Sequence, residues 1–183
     1  PKQFYMRKII LFILLISNYC VQAQIKQVWT DDLIITPERS NFDKTSTYAD
    51  VMNFINAIKT KSAYIQVSSI GKSPMGKDIP LVILSNPSVS TPEQAKASGK
   101  MVTYIQGNIH AGEVEGKEVV MMMMRDILLG NKNNLLDNQI ILFVPIYNSD
   151  GHDKMAMCLR PSQENSPSET GEREDGQGLD LMR

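Results

Sequence analysis

An imidazole and a carboxylate three residues apart, in His110-Ala111-Gly112-Glu113, form the pair with the clearest chemical potential in this sequence. Both are usual zinc ligands, and a catalytic zinc centre takes three protein ligands and leaves one position open. Directly after a strand, with Gly112 permitting a sharp turn, the two side chains can aim at one point. The spacing by itself is a weak signal. Each residue also has a plainer reading, His110 as a hydrogen-bonded, half-buried histidine and Glu113 as a carboxylate favoured beside a helix N-terminus.

Two further segments bear on it. Asn148-Ser149-Asp150-Gly151 follows the apolar run Gln139–Ile146 and is compatible with ordinary turn chemistry. Gly178-Leu179-Asp180-Leu181-Met182-Arg183 is a short apolar stretch ending on an arginine. His152, the other histidine of the chain, lies just past the Asn148 turn and is a remote candidate for a third ligand. Other combinations carry less. Gly71-Lys72-Ser73 has Gln66 where a phosphate loop needs its first glycine, and Pro74 follows at once. Met121 to Met124 point around a whole helix turn, which fits a buried helix better than a soft-metal site. Glu115 and Glu118 read as favourable charges at a helix start.

The elements that must position these residues are legible from periodicity and punctuation. Thr47 can cap a helix running to about Thr60, with Tyr48, Val51, Ile55 and Ile58 on one face. Tyr64–Ile70 and Ile79–Leu84 read as strands of a hairpin around the Gly71–Asp78 turn. Asn86–Gly99 is a connection with a helical turn from Thr91. Met101–Gln106 is a third strand, Val114–Leu129 a strong helix closed by Gly130-Asn131, and Gln139–Ile146 a strand buried on both faces. Strand, helix and buried strand in succession give a βαβ-like layout, a sheet covered by helices. At a strand's carboxyl end such sheets bind ligands. Ser162–Gly178, polar and without aliphatic residues, is expected to be a long exposed loop.

The chain has 183 residues, enough for one domain with a hydrophobic core. Its start reads as a secretory signal: Met6-Arg7-Lys8, the apolar run Ile9–Ile16, and Val21-Gln22-Ala23 as a cleavage site, with Pro1–Tyr5 lying upstream of the initiator. Removal of residues 1–23 leaves 16 basic against 20 acidic residues, a formal charge of −4. That balance excludes a nucleic-acid footprint. One cysteine, Cys158, then remains as a bystander thiol, so no internal disulfide forms. The expected location is secreted or periplasmic, in keeping with bacterial export, with no stable membrane span after cleavage.

In this order, HAGE at 110–113, NSDG at 148–151 and DLMR at 180–183 resemble the zinc carboxypeptidase family, the carboxypeptidase A-like peptidases. Ser69–Pro80 also resembles that family's leading hairpin. The resemblance covers about residues 45–183, with 24–44 as an N-terminal extension. It implies an α/β fold, a mixed, mostly parallel sheet flanked by helices, incomplete at the C-terminus. It further implies a Zn2+ cofactor held through His110 and Glu113. Arg183 then matches the arginine that holds a substrate's terminal carboxylate, a task suited to a permanently charged fork of donors, and Asn148 is placed with the substrate-binding residues. Arg160 is the candidate for the arginine that stabilises the oxyanion, with Arg173 as the alternative.

Two departures stand out. Met182 occupies the place of the family's asparagine, and its side chain cannot donate a hydrogen bond. The chain ends before the segment expected to bring the third ligand, a histidine, and the general-base glutamate. The implied substrate is a peptide, with a free C-terminal carboxylate or from the cell wall. An amidase or deacylase on the same fold and an inactive exported binding module are the alternative readings.

Overall fold

A computed structural model describes residues 28–182. The expected signal segment, 1–23, and Arg183 lie outside the described residues. Helix α1 (Thr36–Arg39) leads to α2 (Tyr48–Lys59), which begins where the sequence places its cap. Thr47 Oγ1 accepts from the Asp50 amide at 3.2 Å, and Asp50 Oδ2 accepts from the Thr47 amide at 2.8 Å. This reciprocal arrangement satisfies donors that a helix start otherwise leaves open. Strands β1 (Ile65–Lys72) and β2 (Asp78–Leu84) form the expected hairpin, and β1 runs two residues further than periodicity indicates. A short helix α3 (Pro92–Ser98), capped by Thr91, precedes β3 (Met101–Gln106). Helix α4 (Glu115–Leu129) then crosses to β4 (Gln139–Val144), and a small ribbon pairs β5 (Ala156–Met157) with β6 (Glu169–Thr170).

The sheet order is β1-β2-β4-β3. It is mixed, as expected; among the described residues β3 pairs parallel with β4, while β2 pairs antiparallel with both β1 and β4. Alternation along the strands builds a core on each face. Val82, Leu84, Ile141 and Phe143 face α2 and α4, joining Val51, Phe54, Ile55, Ile58, Met121, Met124 and Ile127. Ile83 and Ile140 face α3 on the other side, with Leu81, Ala95 and Leu142 against them. This two-sided burial explains why β4 reads as a continuous apolar run. Met121 and Met124 are core residues, and Met122 and Met123 pack at its border, in line with a helix buried on most sides.

The described part of the expected N-terminal extension, residues 28–44, packs on the rest of the chain. Leu33 and Ile35 enter the main core. The buried Arg125 of α4 donates to the Leu33 carbonyl at 2.7 Å and grips Glu38 in a two-pronged pair at 2.7 Å. No helix of the described residues is long and apolar enough to cross a membrane.

Candidate metal and substrate site

Because β3 and β4 are parallel and in register from Met101 opposite Gln139 to Gln106 opposite Val144, the loops after them leave from one edge of the sheet. Backbone bonds then continue the pairing past the strands. The Gly107 amide donates to Val144 O at 2.9 Å, Tyr147 N to Gly107 O at 3.2 Å, and Asn148 N to Asn108 O at 2.9 Å. Gly107 lies so close to α4 that a Cβ there would sit 3.0 Å from the Gly116 carbonyl. Asn108 adopts the left-handed region (φ 58°), which asparagine tolerates better than most residues. Its amide nitrogen donates back to the carbonyls of His110 at 3.1 Å, Ala111 at 3.4 Å and Glu113 at 3.0 Å.

This loop brings the two predicted ligands together. His110 is 1% exposed, and its Nδ1 lies 3.0 Å from Glu113 Oε1. The other ring nitrogen, Nε2, lies 3.1 Å from Asp180 Oδ1. A neutral ring carries one proton. With that proton on Nε2 and given to Asp180, the Nδ1 lone pair converges with a carboxylate oxygen of Glu113, an arrangement that calls for a cation. Two ligand atoms of a tetrahedral zinc centre are about 3.4 Å apart, close to the observed spacing, and a ligand histidine ordinarily gives its second nitrogen to a carboxylate or carbonyl. The donor set therefore fits zinc in type and in outer partner. Among the described residues no group of three or more His, Cys, Asp or Glu side chains gathers around a metal position.

Gly112 serves this loop by close approach rather than by an unusual φ. A Cβ on it would stand 2.7 Å from Arg160 Cγ and 2.7 Å from Gly171 O. Arg160 Nη2 donates to Glu113 Oε1 at 3.0 Å, and Arg173 Nη1 lies 3.9 Å from the same oxygen. Burial works against ionisation of Glu113, but the neighbouring His110 ring and the Arg160 guanidinium outweigh it and hold its carboxyl below the ordinary value. Arg173 Nε donates to Asp180 Oδ2 at 3.0 Å. The Met182 amide, then Arg173, hold the Asp180 carboxyl down at about 2. Beside Glu113 a groove of about 540 Å³ opens between Gln106–Ile109, Glu115 and Gly116.

The polar stretch 162–178, expected as an exposed loop, folds back on the site in its second half. The Ala111 amide donates to Glu172 O and the Glu172 amide to Gly151 O, both at 3.1 Å. Thr170, Gly171 and Asp175 are buried. Asn148, expected at the substrate, is 2% exposed. Its Nδ2 donates to the carbonyls of Arg173 at 3.2 Å and Glu174 at 3.0 Å, and its Oδ1 accepts from Gly151 N at 2.9 Å. With its amide committed in this way, it anchors the returning loop instead of facing a ligand. Asp150, also buried, accepts from Ser73 Oγ at 2.6 Å and Met75 N at 3.1 Å, latching the β1–β2 turn to the same loop.

Sequence reasoning missed Asp180, although it quoted the segment that carries it; the signal was the acceptor that a ligand histidine needs. Its reading of Glu118 as a favourable charge at a helix start also leaves out the burial of that carboxylate. Glu118 is 7% exposed and is bonded to the fully buried Lys117 and to Thr45 and Ser46. His152 is not gathered with His110 and Glu113 into a three-ligand group among the described residues. It is 4% exposed, with Nε2 2.7 Å from Asn108 Oδ1, and burial together with Lys117 and Lys77 pushes its pKa down to about 2.

A family profile described as zinc carboxypeptidase matches residues 51–183. Among curated proteins, carboxypeptidase Z of Mus musculus is 30% identical over 144 residues, covering 75% of this chain and 21% of that protein. Among solved structures, a metallo-carboxypeptidase from Burkholderia cenocepacia superposes with a TM-score of 0.56 at 17% identity, over 75% of this chain and 32% of its own. A metallo-carboxypeptidase from Pseudomonas aeruginosa, in complex with (2-guanidinoethylmercapto)succinic acid, gives 0.51 at 16% identity, over 75% and 31%. These structural likenesses speak to the fold. The chain spans about a fifth of the length of the curated relative it matches.

Proposed function

The chain belongs to the zinc carboxypeptidase family, and from that premise we propose that it supplies the first two metal ligands of an exported metallopeptidase acting on peptides. The observation that carries the reading is the convergence of His110 Nδ1 and Glu113 Oε1 at 3.0 Å, with Nε2 turned to Asp180. His110 and Glu113 would hold the zinc, together with a third ligand not found among the described residues. Bound there, the ion supplies Lewis acidity toward a peptide carbonyl and toward water. Asp180 keeps His110 in the Nε2–H tautomer and fixes its ring plane.

The arginines divide the remaining work. Arg173 is better supported than Arg160 as the group that stabilises developing negative charge on the substrate. Asp180 grips its Nε, so the guanidinium is held in place with its Nη1 end toward Glu113. Arg160 is engaged at Glu113 itself and steadies that carboxylate. Arg183 keeps the role of recognising a free C-terminal carboxylate, on the motif alone. Peptides with such a terminus are the substrate class, cell-wall peptides being the narrower variant.

Zinc titration against a competing chelator tests the metal assignment. The wild-type chain should take up about one zinc, weakly because two ligands hold it, and His110→Ala should weaken uptake further by at least about tenfold, since even outer partners contribute that much. Unchanged uptake in His110→Ala would reassign His110 to a structural role. Export rests on the pattern of residues 6–23. Protein recovered from the producing cell should begin at Gln24, and an intact Met6 start in soluble cytoplasm would end that part of the reading.

A further inference from the structure

Beneath the ligand loop lies a buried polar chain that the function above does not use. Asn108 Nδ2 faces three carbonyl oxygens, those of His110, Ala111 and Glu113. Carbonyls only accept, so the amide nitrogen must be on that side and Oδ1 must point the other way. There Oδ1 meets His152 Nε2 at 2.7 Å. An oxygen lone pair at that distance requires a hydrogen on Nε2, and the opposite tautomer would leave a buried N–H at Nδ1, which has no partner among the described residues. Lys117 Nζ stands 3.4 Å from the same nitrogen. Thr45 Oγ1, Ser46 O and the paired Glu118 Oε1 at 3.2 Å all lie nearer to it than that nitrogen and offer acceptors for its three hydrogens, which leaves Nε2–H free for Asn108.

We propose that His152 is a positioning residue for the metal ligands: it donates Nε2–H to Asn108 Oδ1, and this locks the Asn108 amide against the carbonyls of His110 and Glu113, holding the imidazole and carboxylate in register. The proposal rests on the assignment of His110 and Glu113 as zinc ligands. It gives His152 a role distinct from ligation, and it accounts for a neutral histidine being retained among cationic neighbours. Without the donor, Oδ1 is left as a buried, unpaired acceptor, so the amide is fixed from the carbonyl side alone and any rotation toward another donor gives up its grip on the loop.

The test is made on the 183-residue chain with zinc alone as the probe. His152→Leu, which fills the space without donating, should weaken zinc binding by about tenfold, within the range for outer partners of a metal ligand. His152→Gln, whose amide nitrogen can take the place of Nε2, should restore most of it. Asn108→Gly keeps the left-handed backbone and removes the amide; it should weaken binding to a similar degree, and adding His152→Leu should cost little more. In the metal-free chain, ring-nitrogen NMR should show His152 as the Nε2–H tautomer, and exchange of the Ala111 and Glu113 amide protons should quicken in His152→Leu but not in His152→Gln. Wild-type zinc binding in a folded His152→Leu chain, additive losses in the double variant, or an Nδ1–H tautomer would each overturn the proposal. If His110→Ala leaves zinc binding unchanged, the zinc assignment fails instead, and the metal-free measurements still decide whether His152 holds the loop.

Discussion

Glu118→Ala should destabilise the fold by about 3–5 kcal/mol, the range for removing one partner of a buried ion pair. Lys117 is fully buried at the first turn of α4, where burial pushes its pKa down and the Glu118 carboxylate opposes that shift. The carboxylate also accepts from Thr45 Oγ1, Ser46 N and Ser46 Oγ, each at 2.7 Å. Alanine would leave a buried ammonium without its counter-charge, and two hydroxyls and an amide without their acceptor. The loss should appear as a lower denaturant midpoint with little change in slope. Glu118→Gln keeps an acceptor and should lose less. Replacing both charged residues, Lys117→Met with Glu118→Leu, should recover much of the loss, since apolar residues of similar volume can replace a buried pair at little cost. A loss below about 1 kcal/mol for Glu118→Ala would mean that water reaches this cluster and that Thr45–Ser46 is not held by it.

The contrast between Glu118 and Thr47 indicates what a sequence of this kind discloses. Thr47 and Asp50 are three residues apart and cap α2 by local geometry, so their roles are readable in order along the chain. The same holds for β4, whose continuous apolar run reports burial on both faces, and for His110 and Glu113, whose spacing and place after a strand bring them together. Beyond its neighbour Lys117, Glu118 is bonded to residues more than seventy positions away, and nothing local distinguishes it from a charge at a helix start. Asp180 meets His110 across seventy residues for the same reason. The stretch 162–178 departs from the expected exposed loop in its second half, where polar residues are buried by long-range pairing. Its carbonyls are instead satisfied by Ala111 N and the Asn148 amide, a long-range pairing that composition does not encode. Arg160 and Arg173 both reach Glu113, and their different anchors, not their positions in the sequence, separate their roles.

The 183-residue chain assayed by itself should show no peptidase turnover above background, even with excess zinc. A catalytic zinc centre takes three protein ligands, and the described residues bring two donors to one point. Two ligands hold the ion weakly, and bond cleavage also needs a proton acceptor within hydrogen-bond reach of the attacking water. The nearby acids are otherwise engaged. Glu113 is a ligand in this reading and is bonded to Arg160, Asp180 is bonded to His110 and Arg173, and Glu115 accepts from Gln163 at 3.0 Å. General acid–base assistance is worth about 10²–10⁴-fold and metal assistance several kcal/mol, so a site short of both a ligand and a base falls below ordinary detection. A panel of peptides with free C-termini, with and without added zinc, measures this directly. Zinc-dependent turnover that disappears in Glu113→Ala would defeat the expectation, and would mean that a residue outside this constellation, from the same chain or a second copy, completes the centre.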